Sequence, residues 1–355
     1  TGGSSNGRMG YGFAKACFKP LETPEAVAVT ALMPSAMVSM PGKEVAESYD
    51  KMLTDEDFWQ VFDFSFIVGK PYSKADVDAG LRKVVISEKV ARETFGSTSV
   101  SGQRVLINYT EFVVSGVVKD VSALATAAYS NIWTPITTEP LPEYSYGING
   151  QCMVYILAKS KKDFSKIKEE AEVLRQKYND ASTTFEAFYR NQPDNHFVYI
   201  HRKWANVEPD MKAIVSQSSI VLILLLVVPA INLSGMTGSR MRKRLSELGV
   251  RRAFGATRGN LLSQVMWESL LQSLLGGLLG LILSYVAAYA LKGVIYEDSN
   301  MAYQLGDVAL NPGSLLSPAI FIYAFLFCVL LNVLSTFIPS RNVSRNPIVD
   351  SINSK

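Results

Sequence analysis

Few residues in this chain have the types and spacing that carry chemistry. His196 and His201 are the two histidines of the 355 residues, five positions apart with no cysteine beside them. A tetrahedral metal site needs three or four nitrogen or sulfur ligands, and this pair supplies two. Cys17, Cys152 and Cys328 are too few for a disulfide framework, and pairing of Cys17 with Cys152 stays open. Gly42-Lys43-Glu44 and Gly69-Lys70-Pro71 lack the upstream glycine and the following hydroxyl of a phosphate cradle. Gly7-x-x-Gly10-x-Gly12 reads as a loop and lacks the dinucleotide spacing. There is no Gly-x-Ser-x-Gly and no set of nucleophile, base and orienter. The expectation is a protein that is not an enzyme and holds no cofactor.

The segment that does stand out is mechanical in character. Arg240, Arg242, Lys243, Arg244, Arg251, Arg252 and Arg258 are seven cations against one acid, Glu247. Leu248, Val250 and Phe254 add apolar contact, and Gly249 and Gly255 permit a sharp turn. Such a piece is either an anchor on lipid headgroups or a short helix that docks into another protein. Charge alone does not choose between them.

The elements around this segment set its place. Charged residues make up 19% of the chain, below the about 25% of soluble domains, and the deficit is confined to the second half. A bilayer core needs roughly 20 apolar residues as helix. Stretches of that kind lie at about 213–238, 270–291 and 315–338. Soluble helices need a polar face, and these have none, so three membrane spans are expected. The second carries Gly276, Gly277 and Gly280, small residues over which helices pack in lipid, within one chain or between two. Glu268 belongs either in the bilayer, where an acid would mark function, or at the cytoplasmic interface near the Arg-rich loop, the placement expected here.

Lys and Arg in short loops set orientation. The loop at about 240–260 and the tail with Arg341 and Arg345 are basic, whereas the loop carrying Glu297, Asp298 and Asp307 is acidic. The basic parts therefore face the cytoplasm, and residues 1–212 lie outside it. Exporting that half calls for a further span upstream of Thr1, making four in the complete protein. The net charge of +3 gives no case for nucleic acid.

Residues 1–212 read as an α+β domain ahead of an all-α membrane domain, residues 213–355. Val84–Ile86, Phe112–Val118 and Met153–Ala158 read as strands, the middle one buried on both faces. Asp163–Tyr178 reads as an amphipathic helix, and Ser87–Phe95 as a short one capped by Ser87. Pro71–Asp76 reads as a turn into a short segment, and 137–150 as a loop. Phe62, Phe64 and Phe66 alternate at period two, as in a strand packing a core.

The motifs then become recognisable. Arg244-x-x-Glu247-Leu248-Gly249-x-Arg251-Arg252-Ala253-x-Gly255-Ala256-Thr257, with Glu268 and the Gly-rich stretch after it, resembles the signature of FtsX-type permeases. Pro339-Ser-Arg341-x-x-Ser344-Arg345-x-Pro347-Ile348 is similar to that family's C-terminus. Asp57–Phe64 with Gly69–Tyr72, Val84–Gly96, and Phe112–Asp120 are similar to the extracytoplasmic domain of the MacB group. These motifs run in the family's order over most of the chain. The region from about 181 to 212 matches weakly.

The resemblance implies an ABC-transporter permease of the inner membrane. Arg244, Glu247, Leu248, Gly249, Arg251, Arg252, Phe254, Gly255, Ala256 and Thr257 would couple it to a separate ATPase subunit. It implies a permease homodimer and, for MacB-like members, an adaptor and an outer-membrane channel for export of a drug, a peptide or a similar molecule. An FtsX-like regulator of cell-wall hydrolysis and a lipoprotein-releasing permease share the same plan.

Overall fold

The computed structural model describes residues 7–43, 45–122, 125–141, 147–183, 185–243, 247, 250–251, 254–291, 319, 321–331 and 333. Contacts divide the chain into two units, Thr1–Met211 and Lys212–Lys355.

The first unit is organised by one long strand. Strand β1 is Arg8–Met9 and helix α1 Tyr11–Cys17, so Gly12 sits in a helix and not in the expected loop. Strand β2, Ala26–Ser39, follows. Its first residues, Ala26–Ala31, are buried on both faces, as suits a strand with neighbours on each edge and layers above and below. Pro34 cannot donate to a ladder, and the register of β2 against β3 (Ala46–Thr54) shifts between Met33 and Ala36.

Helix α2 (Phe58–Val61), β4 (Phe66–Gly69), α3 (Lys74–Asp78), β5 (Lys83–Ser87), α4 (Glu88–Phe95), β6 (Arg104–Ile107), β7 (Thr110–Val118) and β8 (Ile132–Pro135) complete the centre. β3 pairs β8 in parallel, β8 pairs β5, β5 pairs β7 in parallel, and β7 pairs β6, which returns to β2 at Val38 and Ser39. The six strands thus form a closed circuit of pairing. β10 (Cys152–Leu157) pairs the first half of β2 on the edge opposite β3 and leads to β1 and β9 (Asn149–Gly150), giving a ten-stranded sheet.

Period-two alternation sends side chains to two cores. Val84, Ile86, Val105, Ile107, Phe112, Val114 and Ile132 fill one. Val85, Trp133, Phe58, Tyr72 and Met52 fill the other. Each such side chain contributes roughly 1.5–3 kcal/mol by leaving water. Helix α5, Phe164–Ala181, lays Ile167 and Ala171 on a third cluster with Phe13, Cys17 and Phe18.

Most local expectations hold. Ser87 caps α4, accepting from the Val90 amide at 3.3 Å. Ser73 and Asp76 form a reciprocal capping box at α3. Two further expectations need correcting. β7 is buried on both faces only from Gly116 to Val118; Val113 is exposed and Ser115 half-buried, because no layer covers the outer face of its first half. Phe62 and Phe64 are not in a strand, which begins only at Phe66. Their rings still pack the core, Phe62 on Tyr155 at 5.2 Å and Phe64 on Trp133 at 5.4 Å. Aromatic burial, not backbone pairing, spaces them.

Cys17 and Cys152 are both free and buried, and burial pushes each thiol up to about 11. A partly buried ionic knot ties the segment just after α1 to the β2–β3 region. Lys19 Nζ donates to Asp55 at 2.8 Å and to Asp57 at 2.6 Å, while Asp55 also accepts from the Val29 and Phe58 amides.

In the second unit, helix α7 runs Met211–Lys243 and helix α8 runs Arg258–Ala290, 33 residues each. A further helical segment covers Phe321–Leu331. Among the described residues one helical stretch, Met266–Ala287, is long and apolar enough to cross a membrane, and Met211–Leu225 is a shorter apolar run. The remainder of the expected third span, the acidic loop and the C-terminal motif lie outside the described residues.

Candidate functional site

The basic segment is built as an elbow between helices. Glu247, Val250 and Arg251 are helical. The Phe254 amide donates to the Val250 carbonyl at 3.1 Å and the Ala256 amide to the Arg251 carbonyl at 3.0 Å. Gly255 between them has φ +93°. A helix whose last carbonyls are taken up this way, with the residue after its end in the left-handed region, is a Schellman stop. L side chains are disfavoured at that φ, which is why glycine stands there. Two residues later Thr257 caps α8, its hydroxyl accepting from the Asn260 amide at 3.3 Å. One helix therefore ends and the next begins within Gly255–Thr257.

A polar ladder crosses the elbow. Arg251 donates to Glu247 at 2.6 Å, one turn back, and to Gln264 at 2.8 Å on α8. Gln264 in turn donates to Glu268 at 3.3 Å. Arg251 is thereby fixed on both sides of the turn. A hollow of about 440 Å³ opens beside it, lined by Val250, Arg251, Phe254, Gly255, Ala256, Asn260 and Gln264. Phe254 is 89% exposed and Val250 48%. A turn that presents an aromatic ring next to an open hollow is suited to docking, and none of the described residues in it forms a catalytic set.

The structure thus brings together Glu247, Arg251, Phe254, Gly255, Ala256 and Thr257. Arg244, Leu248, Gly249 and Arg252 lie outside the described residues. Sequence reading missed Gln264 and Asn260. Gln264 stands four residues before Glu268 and six after Arg258, a spacing that puts it near the turn, but only the fold reveals that Arg251 reaches it.

The expected packing glycines behave differently from one another. A Cβ on Gly277 would lie 2.6 Å from the Phe325 ring, so Gly277 lets the 321–331 helix approach α8. Gly276 and Gly280 have nothing within 4 Å of where a Cβ would stand.

Comparison with known proteins matches both halves. Residues 4–174 match the MacB-like periplasmic core domain, and residues 219–348 match the FtsX-like permease C-terminal domain. In sequence order the chain thus carries the two domains found together in FtsX-like, MacB-type ABC transporter permeases.

Among its relatives is the uncharacterized ABC transporter permease YknZ of Bacillus subtilis (strain 168), 27% identical over 203 residues, 57% of this chain and 48% of YknZ. Another is the macrolide export ATP-binding/permease protein MacB of Burkholderia cenocepacia (strain HI2424), 25% identical over 84% of this chain and 40% of the relative. The chain therefore spans less than half the length of these relatives. Among solved structures, the extracellular domain of YknZ from Gram-positive bacteria has 22% identity and a TM-score of 0.36, covering 48% of this chain and 82% of that one. The periplasmic region of MacB from Actinobacillus actinomycetemcomitans has 18% identity and a TM-score of 0.38, covering 49% and 81%.

Proposed function

We propose that this chain is the permease subunit of an ABC exporter, working by mechanical transmission. The outer α+β domain, residues 1–212, stands outside the cytoplasmic membrane. Spans at about 213–238, 270–291 and 315–338 cross it, and the elbow at about 240–260 meets a separate ATPase subunit in the cytoplasm. Two permeases pair, with the open Gly276 and Gly280 face available for contact between helices. An adaptor and an outer-membrane channel complete the path for a drug, a peptide or a similar molecule, in keeping with the macrolide export named for the MacB relatives.

The observation that carries this reading is the elbow. A Schellman stop, a threonine cap and the Glu247–Arg251–Gln264–Glu268 ladder make one stiff corner. Coupling between two sites requires a contact that differs between two states, and exposed Phe254 beside its hollow is where an ATPase would make one.

Sidedness tests the arrangement. Tyr109 is 87% exposed in the outer domain and Phe254 is 89% exposed in the elbow. In a Cys328→Ser background, a membrane-impermeant maleimide applied to intact cells is expected to label the Tyr109→Cys variant and spare the Phe254→Cys variant. Both should react after permeabilisation. Equal labelling of both in intact cells would sink the proposal.

A further inference from the structure

The segment between α5 and α7 buries an ion pair and leaves large apolar side chains exposed. Helix α6 is His196–His201, and the loop after it folds back on a charged centre. Arg202 grips Asp194 through two bonds, 2.5 Å and 2.9 Å, with both side chains only 6% exposed. The same guanidinium donates to the Val207 and Arg190 carbonyls at 2.7 and 3.1 Å. Gln192 holds the Ala205 carbonyl at 3.0 Å and Asn191 holds Glu208 at 2.6 Å. The Arg202–Asp194 ion pair thus occupies the interior, and the other bonds lie around it at the surface.

The apolar groups are outside. Phe197 is 51% exposed, Tyr199 41%, Ile200 58%, Trp204 71% and Val207 53%. A loop that lived in water would put such side chains inward, and a contiguous exposed apolar patch marks a binding surface. Between Asn195 and Val207 there is no carboxylate, while Lys203 and two histidines stand among the aromatic residues. Trp and Tyr with nearby cations are the residues that favour the water–lipid boundary, and Lys is drawn to anionic headgroups.

The chain itself says which surface is within reach. Helix α7 begins at Met211, and its apolar run Met211–Leu225 starts there. Trp204 is seven residues upstream, so the tether cannot exceed about 25 Å. We infer that residues 196–207 form an interfacial foot that seats on the outer leaflet, anchoring the outer domain to anionic phospholipid beside its first span. This rests on the membrane reading of the second unit given above. The occupant is lipid, not protein: residues 196–207 are tethered to the proposed first span, hold no carboxylate of their own before Glu208, and are rich in boundary residues.

Tryptophan emission of the full chain in phosphatidylethanolamine–phosphatidylglycerol liposomes tests it, with dibrominated acyl chains as the lipid quencher and iodide as the aqueous one. Trp204 and Trp267 are the tryptophans at 71% and 65% exposure, whereas Trp133 is fully buried. The conservative Trp204→Phe variant is therefore expected to lose roughly half of the lipid-quenchable emission and little of the iodide-quenchable part. If the Trp204 component is quenched by iodide, the foot stands in water and the inference is overturned. If neither agent quenches it, a protein surface covers it, and the inference is equally overturned. The Trp267→Phe variant reports separately on the span at Met266–Ala287. Failure there defeats the membrane reading, whereas lipid quenching of Trp267 without Trp204 defeats the foot alone.

Discussion

The Gly255 position allows the transmission reading to be tested in graded steps. Its φ is +93°, and a side chain added there would touch nothing within 4 Å. Substitution therefore acts through the backbone and not through a clash. A non-glycine residue in the left-handed region costs roughly 1–2 kcal/mol, less for asparagine and more for a β-branched residue. At about 1.4 kcal/mol per tenfold, Gly255→Ala disfavours the closed elbow by about five- to thirtyfold, and Gly255→Val by about thirtyfold or more.

If the companion ATPase engages only that conformation, its apparent affinity for the permease falls by the same factor. The assay is stimulation of ATP hydrolysis when the ATPase is titrated with the full chain in liposomes. Thermal unfolding of the outer domain serves as the control. The expected order is Gly above Asn above Ala above Val, with the unfolding transition unmoved. Gly259 is the internal comparison. It lies in the first turn of α8 without a positive φ, and an added Cβ meets only the Thr257 hydroxyl at 3.9 Å. Gly259→Ala should leave stimulation intact. Wild-type titration curves for Gly255→Val, or equal losses for both glycines, would refute the elbow as the transmitting part.

Further outcomes are expected elsewhere. Thr257→Ala removes the cap of α8 at a cost of about 1 kcal/mol, and Thr257→Ser restores it; helix protection by hydrogen exchange around Asn260 reads the difference. Gly277→Leu drives a side chain into the Phe325 ring and should destabilise the subunit itself, whereas Gly280→Leu should leave the subunit folded and reduce dimer cross-linking; intact dimers in both would rule out a glycine interface. Ellman's reagent should spare Cys17 and Cys152 in the folded protein near neutral pH and titrate them only after unfolding, since both are buried and pushed up to about 11. Lys19→Met strips Asp55 of its cation and should destabilise the outer domain by about 3 kcal/mol, read by denaturant unfolding.

The Lys19 knot has a pH dependence of definite sign. Burial is the dominant influence on Asp55 and raises its carboxyl from 3.8 to about 6 against the pull of Lys19. Burial also pushes Lys19 down, but Asp55 and Asp57 outweigh it and leave the amine above its ordinary value. The two shifts point opposite ways for the pair: one says that ionisation is resisted, the other that it is welcomed. We hold to the rise at Asp55, because its side chain is 4% exposed against 26% for Lys19. A carboxyl that binds its proton more tightly when folded contributes stability below about 3.8 that is gone above about 6. Removing Lys19 should steepen that loss. Flat stability between pH 4 and 7 in Lys19→Met would contradict the assignment.

What could be read from the sequence alone follows from how local each cause is. Ser87 before α4, Ser73 with Asp76 at α3, and Gly255 ahead of Thr257 act within a few residues, so their spacing is legible in a string of letters. The closed circuit through β2, β3, β8, β5, β7 and β6 depends on pairings far apart in sequence, and nothing in the alternation of Phe112 and Val114 announces β5 as their neighbour. Phe62 and Phe64 show the opposite error. Period two is the mark of a strand only when the backbone pairs, and here ring packing on Trp133 and Tyr155 imposes it without a ladder.

The same distinction explains the elbow. Its turn is local and legible; its rigidity comes from Arg251 reaching thirteen residues ahead to Gln264. That reach has a mechanical meaning. α8 is 33 residues without interruption, about 50 Å at 1.5 Å per residue, against roughly 30 Å of hydrocarbon. On the proposed reading, some 20 Å of helix is left over. Gln264 sits in the first two turns, between the cap and Met266, where the apolar stretch begins. A corner clamped to the projecting end of a stiff rod passes a push at Phe254 to the rod as rotation, whereas an unclamped corner would absorb it in the turn. Gln264→Ala should therefore reduce stimulation of the ATPase without altering the turn at Gly255, and a Gln264→Ala permease that couples as well as wild type would separate the corner's shape from its function.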